Sequence, residues 1–257
     1  MALTVLPLKA RYQKSKFDLF DEISKTFSDN RISLENGDVL VISSKYVANS
    51  QGRILDTESV IASDYANLLS KKFKMKPEFI EVIVRESDEI FGGVVGFLIT
   101  SSDNILAPNA GIDKSNSNGT KLILYPDNPY QITENIKRKI FIDYSVNVGV
   151  IIVDSRLMPA RVGTIGIAIA CSGLDPVKDL RGQKDLNGNP LKVTFQATAD
   201  NLASIANHKM GEGSELQPIA IVRDSQCKLT SRKISHNEMA ISHEQCVYVR
   251  GLSNKLN

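Results

Sequence analysis

Residues 148–153 constrain this chain more than any other stretch, because Val150, Ile151, Ile152 and Val153 stand side by side with no polar residue between them. A β-strand turns successive side chains to opposite faces. Four consecutive branched apolar residues therefore call for a strand buried on both sides. Asp154 follows immediately, so a carboxylate sits at the mouth of that buried strand.

Other short segments rich in branched residues read as strands at 38–43, 94–100, 121–125, 164–171, 191–196 and 219–223. Helical stripes lie between them. Phe20, Ile23 and Phe27 form one, and residues 57–73 carry Ile61, Tyr65, Leu68 and Leu69 on another. Pro77 opens a helix expected to run through Ile90. Ile132, Ile136 and Ile140 mark a fourth, and residues 198–210 a fifth. Strands and helices alternate without a steady βαβ rhythm, which predicts an α+β fold with mixed sheets. No linker breaks the composition. Residues 1–257 read as one unit, and any two subdomains would be interwoven.

Basic and acidic residues nearly cancel, 31 against 29, which argues against a chain built to hold nucleic acid. No apolar run approaches the ~18 residues that span a membrane, and no secretory signal opens the chain, so a cytoplasmic location is expected. Cys171, Cys227 and Cys246 are far apart, which fits a reducing compartment and no cysteine-based metal site. There is neither a GxxxxGK[ST] nor a GxGxxG loop, and Gly163-x-x-Gly166 is explained equally well by strand entry.

Four segments are candidates for chemistry. Asp154 and Ser155 could place a metal or a base at a strand end, or form a turn or cap. Asn109-Ala110-Gly111-Ile112-Asp113, with Asn116 beyond it, could do the same or serve as a turn. Met210-Gly211-Glu212-Gly213-Ser214-Glu215 closes a helix with glycine and offers carboxylates, the oxygen ligands that Mg²⁺ and Mn²⁺ prefer. Ser43-Ser44-Lys45 follows a strand and could meet phosphate oxygens, although a solvated loop is the simpler reading.

Taken in order, GDVLVISSKYVANSQGRI (37–54), NAGIDKSN (109–116), VGVIIVDS (148–155), residues 163–194 and ANHKMGEG (206–213) resemble the coenzyme F420-0:L-glutamate ligase family, the CofE type. The resemblance runs from about Val5 to Arg223 and leaves 227–257 as a divergent C-terminal segment. It implies a CofE-like α+β fold in an intertwined homodimer, with the nucleotide near the interface. It also implies a GTP-dependent γ-glutamyl ligase. GTP phosphorylates a carboxylate of the acceptor, coenzyme F420-0, and the amine of L-glutamate attacks the acyl phosphate. Two divalent ions, Mg²⁺ or Mn²⁺, would assist, and K⁺ can help. Carried over by residue, Asp113 and Asp154 would act through the metals, with Ser155 and Glu212 at the second ion. Ser44, Lys45, Asn49, Asn116, Gly211 and Gly213 would meet the nucleotide.

The chain departs from the family at Ala48-Asn49-Ser50-Gln51-Gly52-Arg53, where Asn49 and Gln51 stand in place of a Lys and a Glu. Only Arg161 remains of a paired Arg-Arg before Gly163. Two other readings go with these departures. One is the same chemistry on a folate-type or other acceptor. The other is a non-catalytic relative that binds nucleotide or metal.

Overall fold

The structure is a computed structural model and describes residues 2–114 and 120–253. The chain begins with β1 (Thr4–Leu8), α1 (Leu19–Asp29), β2 (Val39–Ser43), α2 (Ser44–Gln51) and β3 (Ile54–Asp56). It continues through α3 (Asp64–Phe73), α4 (Pro77–Glu86), β4 (Glu89–Val94), β5 (Phe97–Ser102), β6 (Ile105–Pro108), β7 (Lys121–Ile123) and α5 (Pro129–Tyr144). It ends with β8 (Gly149–Leu157), β9 (Thr164–Ser172), β10 (Val177–Asp179), β11 (Phe195–Ala197), α6 (Thr198–Met210), β12 (Ile219–Arg223) and α7 (Val247–Ser253). The α+β expectation with mixed sheets holds.

The principal sheet has the order β1-β12-β2-β8-β9. β2 and β8 run parallel in register Val39↔Gly149 to Ser43↔Val153, and the other pairs are antiparallel. Alternation divides the apolar strands as the pattern of 148–153 demands. Leu40, Ile42, Val150, Ile152, Ile219 and Ile221 enter one core with Ile23 and Phe27 of α1 and Ile136 and Ile140 of α5. Val39, Val41, Ile151, Val153, Ala220 and Val222 enter a second core with Ala199, Leu202, Ala203 and Ala206 of α6. Cys227, Leu229 and Ile234 also pack there, so part of the C-terminal segment folds back onto this layer.

A third core lies around α3, α4, Leu98 of β5 and Leu122 of β7, beside the antiparallel sheet β4-β5-β6. Gly166 lets β9 approach α6 closely. A Cβ there would lie 2.5 Å from that of Asn207, so packing accounts for this glycine.

Several boundaries differ from expectation. The strand expected at 94–100 is a hairpin, because Gly96, at φ +88°, turns the chain between β4 and β5. The helix expected from 57 begins at Asp64, where the Ser63 side chain accepts from the Ala66 N–H and caps it. The helix expected to reach Ile90 stops at Glu86, because Ser87 is extended. The strand expected at 191–196 narrows to Phe195–Ala197. β1 went unread because Pro7 interrupts it, and it is an edge strand, where proline is tolerated. Residues 43–45, read as a loop, are the end of β2 and the first turn of α2.

Glu81 ties α4 to α3. Its carboxylate accepts from the Ser63 hydroxyl at 2.6 Å and the Ser63 N–H at 2.9 Å, and Arg85 donates to it at 2.8 Å. These bonds, the Ser63 hydroxyl first, hold its carboxyl at about 2, below the ordinary 4.5. A lowered folded-state value contributes stability above the unfolded value, and that stability is lost as pH falls through the folded one. Urea unfolding across a pH series should therefore show Glu81→Gln losing less stability than wild type between pH 4.5 and about 2. Parallel acid profiles would reject this role.

Candidate functional site

The site forms where β2 and β8 part. β2 ends at Ser43 and turns into α2, whereas β8 runs on to Leu157, paired with β9 back to Thr164. A bulge sits just before Asp154, since Ile152 pairs with Ala170 and Val153 with Ala168. Beyond it Asp154 and Arg156 share one face of β8, and Ser155 turns to the other.

On the first face, the Ser44 hydroxyl donates to Asp154 Oδ1 at 2.5 Å. Arg156 Nη1 lies 2.8 Å from Asp154 Oδ2. Arg156 is almost fully buried, 5.6 Å from the centre of the Tyr125 ring. Its Nε and Nη2 have no acceptor among the described residues. Burial, ahead of the opposing effect of Arg156, raises the Tyr125 hydroxyl far above its ordinary value, so it stays protonated.

Asp113 comes from a pinned turn. Asn109, Ala110 and Gly111 all take positive φ, which costs energy for the two that carry a Cβ. The turn is held to β5 by Leu98 N–H donating to Asn109 Oδ1 and Ala110 N–H donating to the Thr100 hydroxyl, each at 2.9 Å. Asp113 then exchanges both backbone hydrogen bonds with Ile123. Its carboxylate meets Lys45 Nζ at 2.8 Å.

On the other face of β8, the Ser155 hydroxyl donates to Glu212 Oε1 at 2.5 Å, and Asn207 Nδ2 donates to the same oxygen at 2.7 Å. The turn after α6 already holds an anion, because Gly213 N–H donates to Glu215 Oε2 at 2.8 Å. A Cβ on Gly211 would lie 2.5 Å from the Glu215 carboxyl carbon.

The structure thus joins Ser44 with Asp154, Lys45 with Asp113, and Ser155 with Glu212. It does not close them into one cage. No group of three or more His, Cys, Asp or Glu stands close enough to hold a metal among the described residues. Mg²⁺ needs no such cage, because it keeps waters and binds through one or two carboxylates and substrate phosphates. Carboxylates beside hydroxyls supply the hard oxygen donors for that mode, so the residues present fit a divalent ion.

Asn49 stays apart from these pairs, and its buried Oδ1 has no partner among the described residues. Asn116 lies outside the described residues. Gln51 has a structural task. Its amide donates to the Asp127 carbonyl at 2.9 Å and accepts from the Asp127 N–H at 3.0 Å, a double role that a carboxylate cannot fill. Arg53 pairs with Glu86, whose carboxyl burial pushes up, and so ties the chain after α2 to the end of α4.

Arg156 and Asn207 were not singled out in the sequence. A signal for Arg156 existed, since a residue two along a strand from Asp154 must share its face. Next to Asp113 along the chain, Lys114 lines a cavity of about 370 Å³ with Lys74, Lys76 and Glu78. Among the described residues none of the three lysines is ion-paired. Burial and the charge of Lys76 lower the Lys114 value, and its Nζ sits 3.3 Å from the centre of the Phe79 ring. A basic cavity of this kind favours an anionic ligand.

Residues 7–224 match the model of a family described as F420-0:gamma-glutamyl ligase. The chain is similar to the coenzyme F420:L-glutamate ligase of Methanocaldococcus jannaschii, 39% identical over 74% of this chain and 76% of the relative. The protein of the same name from Methanopyrus kandleri is 34% identical over 79% and 81%, and that from Archaeoglobus fulgidus 35% identical over 79% and 81%. No helix among the described residues is long and apolar enough to cross a membrane.

Gly111 links the turn to the buried guanidinium. It adopts φ +66°, and a Cβ there would stand 2.8 Å from Arg156 Nη1 and 3.1 Å from the Tyr125 ring. Gly111→Ala is expected to lower stability by about 1–3 kcal/mol in chemical denaturation, combining left-handed strain with the clash. A loss below about 0.5 kcal/mol, the range of a neutral surface change, would reject that reading.

Proposed function

The chain belongs to the F420-0:gamma-glutamyl ligase family, and from that premise we propose that it joins L-glutamate to coenzyme F420-0 in a GTP- and metal-dependent reaction. The observation that carries this reading is the family match combined with the meeting of Ser44 and Asp154 where β2 and β8 separate. An acceptor carboxylate oxygen attacks the γ-phosphorus of GTP, and GDP leaves. The glutamate amine then attacks the acyl carbon, and phosphate leaves as the amide forms.

Asp113 and Asp154 would hold one divalent ion, with Ser155 and Glu212 at a second. When bound, such ions neutralise phosphoryl oxygens and lessen repulsion against the attacking carboxylate. The protein's own groups then orient the reactants. The N-terminus of α2 and the Lys45 ammonium favour phosphate oxygens. The turn at Gly211–Gly213 offers backbone N–H groups to an anion, in the way it now takes Glu215. The lysine-lined cavity beside Lys114 suits a polyanionic substrate. No side-chain nucleophile is required.

We also read the working unit as a homodimer. The β8–β9 hairpin extends past the end of β2 and leaves Leu157, Val162 and Ile165 exposed. Apolar side chains on a projecting arm favour burial against a second copy. A second copy would also bring further groups to a site that one chain leaves open.

Two experiments test this. F420-0, L-glutamate, GTP and Mn²⁺ are incubated with the protein, and the glutamylated product is followed by mass spectrometry. Asp113→Asn and Asp154→Asn should each reduce turnover by at least about a hundredfold while keeping the wild-type circular dichroism, because a neutral amide is a poor ligand for a hard cation. Turnover near wild type in either variant would reject its metal role. No product from wild type, or product only from another acceptor, would reject F420-0 as the substrate. In sedimentation at micromolar concentration the chain is expected as a dimer, and Val162→Glu in the arm is expected to shift it toward monomer. A folded wild-type monomer would overturn the assembly.

A further inference from the structure

Arg156 has a burial and a partner set that folding alone does not call for. Its guanidinium is among the few charged groups buried among the described residues, and Asp154 is its ion-pair partner. Burying a cation is costly unless a carboxylate compensates it, and two of its nitrogens, Nε and Nη2, have no acceptor among the described residues. Gly111, on the turn that leads to Asp113, and Tyr125, just beyond β7, close over it. Arg156 therefore touches the support of both carboxylates without reaching solvent.

Both oxygens of Asp154 are committed as the chain stands, Oδ1 to the Ser44 hydroxyl and Oδ2 to Arg156. Lys45 plays the same part at Asp113, but from a half-exposed position on α2 where its long stem can swing away. Arg156 has no such exit.

We propose that Arg156 is a positioning residue, a permanent internal counter-ion that orders Asp154 when no metal is bound and weakens the hold of the site on a divalent cation. The inference rests on the reading of Asp154 as a metal ligand and deepens it. A divalent ion arriving at Asp154 meets a fixed positive charge already on the other carboxylate oxygen. Such a site binds its metal loosely by itself and fills when substrate phosphates supply further negative charge. That suits a metal that enters with the nucleotide.

The test uses Mn²⁺ alone as probe, on the full-length protein stripped of metal by a chelator, with binding followed by electron paramagnetic resonance and unfolding by circular dichroism. Arg156→Gln keeps a donor for Asp154 but removes the charge. It is expected to bind Mn²⁺ about tenfold more tightly than wild type, since a like charge within a few ångströms is removed. Its metal-free Tm should fall, and Mn²⁺ should raise it by more than in wild type. Arg156→Lys keeps the charge and should bind Mn²⁺ like wild type. A loss of packing alone would weaken Mn²⁺ binding or leave it unchanged, so tighter binding separates the two roles. Should Arg156→Gln fail to fold, Arg156→Met keeps the apolar stem against Tyr125 and reads the same quantity. Wild-type binding of Mn²⁺ with no tightening in the neutral variants overturns the proposal and spares the metal reading. No binding of Mn²⁺ to wild type or to either neutral variant overturns both.

Discussion

Burial of β2 and β8 on both faces decides where chemistry can happen in this protein. Val39 to Ile42 and Val150 to Val153 are sealed between α1 and α5 on one side and α6 on the other. No water, phosphate or cation can reach the strands along their length. Polar groups become accessible only where the sheet ends. There β2 turns into α2 while β8 runs on paired only with β9, so polar side chains gather at the carboxyl ends of two parallel strands. Ligands in open sheets gather at such ends for the same reason.

This end of the sheet is rich in charge compensation. Asp154 is held by a buried arginine, and Asp113 by a half-exposed lysine. A guanidinium sealed under Tyr125 and Gly111 is a fixed part of the scaffold, whereas an ammonium on a flexible stem is a movable one. The two carboxylates thus differ in how freely each can exchange its partner for another cation. The turn that presents Asp113 is strained at Asn109 and Ala110, and hydrogen bonds to β5 hold it there. Strain held by surrounding structure is a common feature of places where geometry must be exact for binding.

Much of the fold could be read residue by residue. β12 and α6 match their expected bounds, because four branched or small apolar residues in a row and a clean helical stripe leave little choice. The errors fall where long-range contacts outvote local pattern. β1 is a strand because β12 offers it hydrogen bonds, although Pro7 argues against it locally. Residues 44–51 are mostly polar, and they form a helix whose Tyr46 and Val47 pack into the core with β2 and β8. Arg156 owes its burial to Gly111 and Tyr125, some thirty to forty-five positions earlier, which close over it.

The sequence by itself determined the class of fold, the doubly buried strand and the residues that mark the family, because each is written in local periodicity or in short ordered motifs. It also put Asp154 directly after the buried apolar run, although the strand does not end there as expected: β8 continues to Leu157, paired with β9. Only the tertiary structure decided the partners. Ser44 and Asp154 meet across 110 positions, and Ser155 and Glu212 across 57. The strand sends Asp154 and Ser155 to opposite faces, and that separation depends on which helix covers each face. Charge pairing follows distance in space, which local pattern does not encode, and so the counter-ions of the site became visible only once the sheet was assembled.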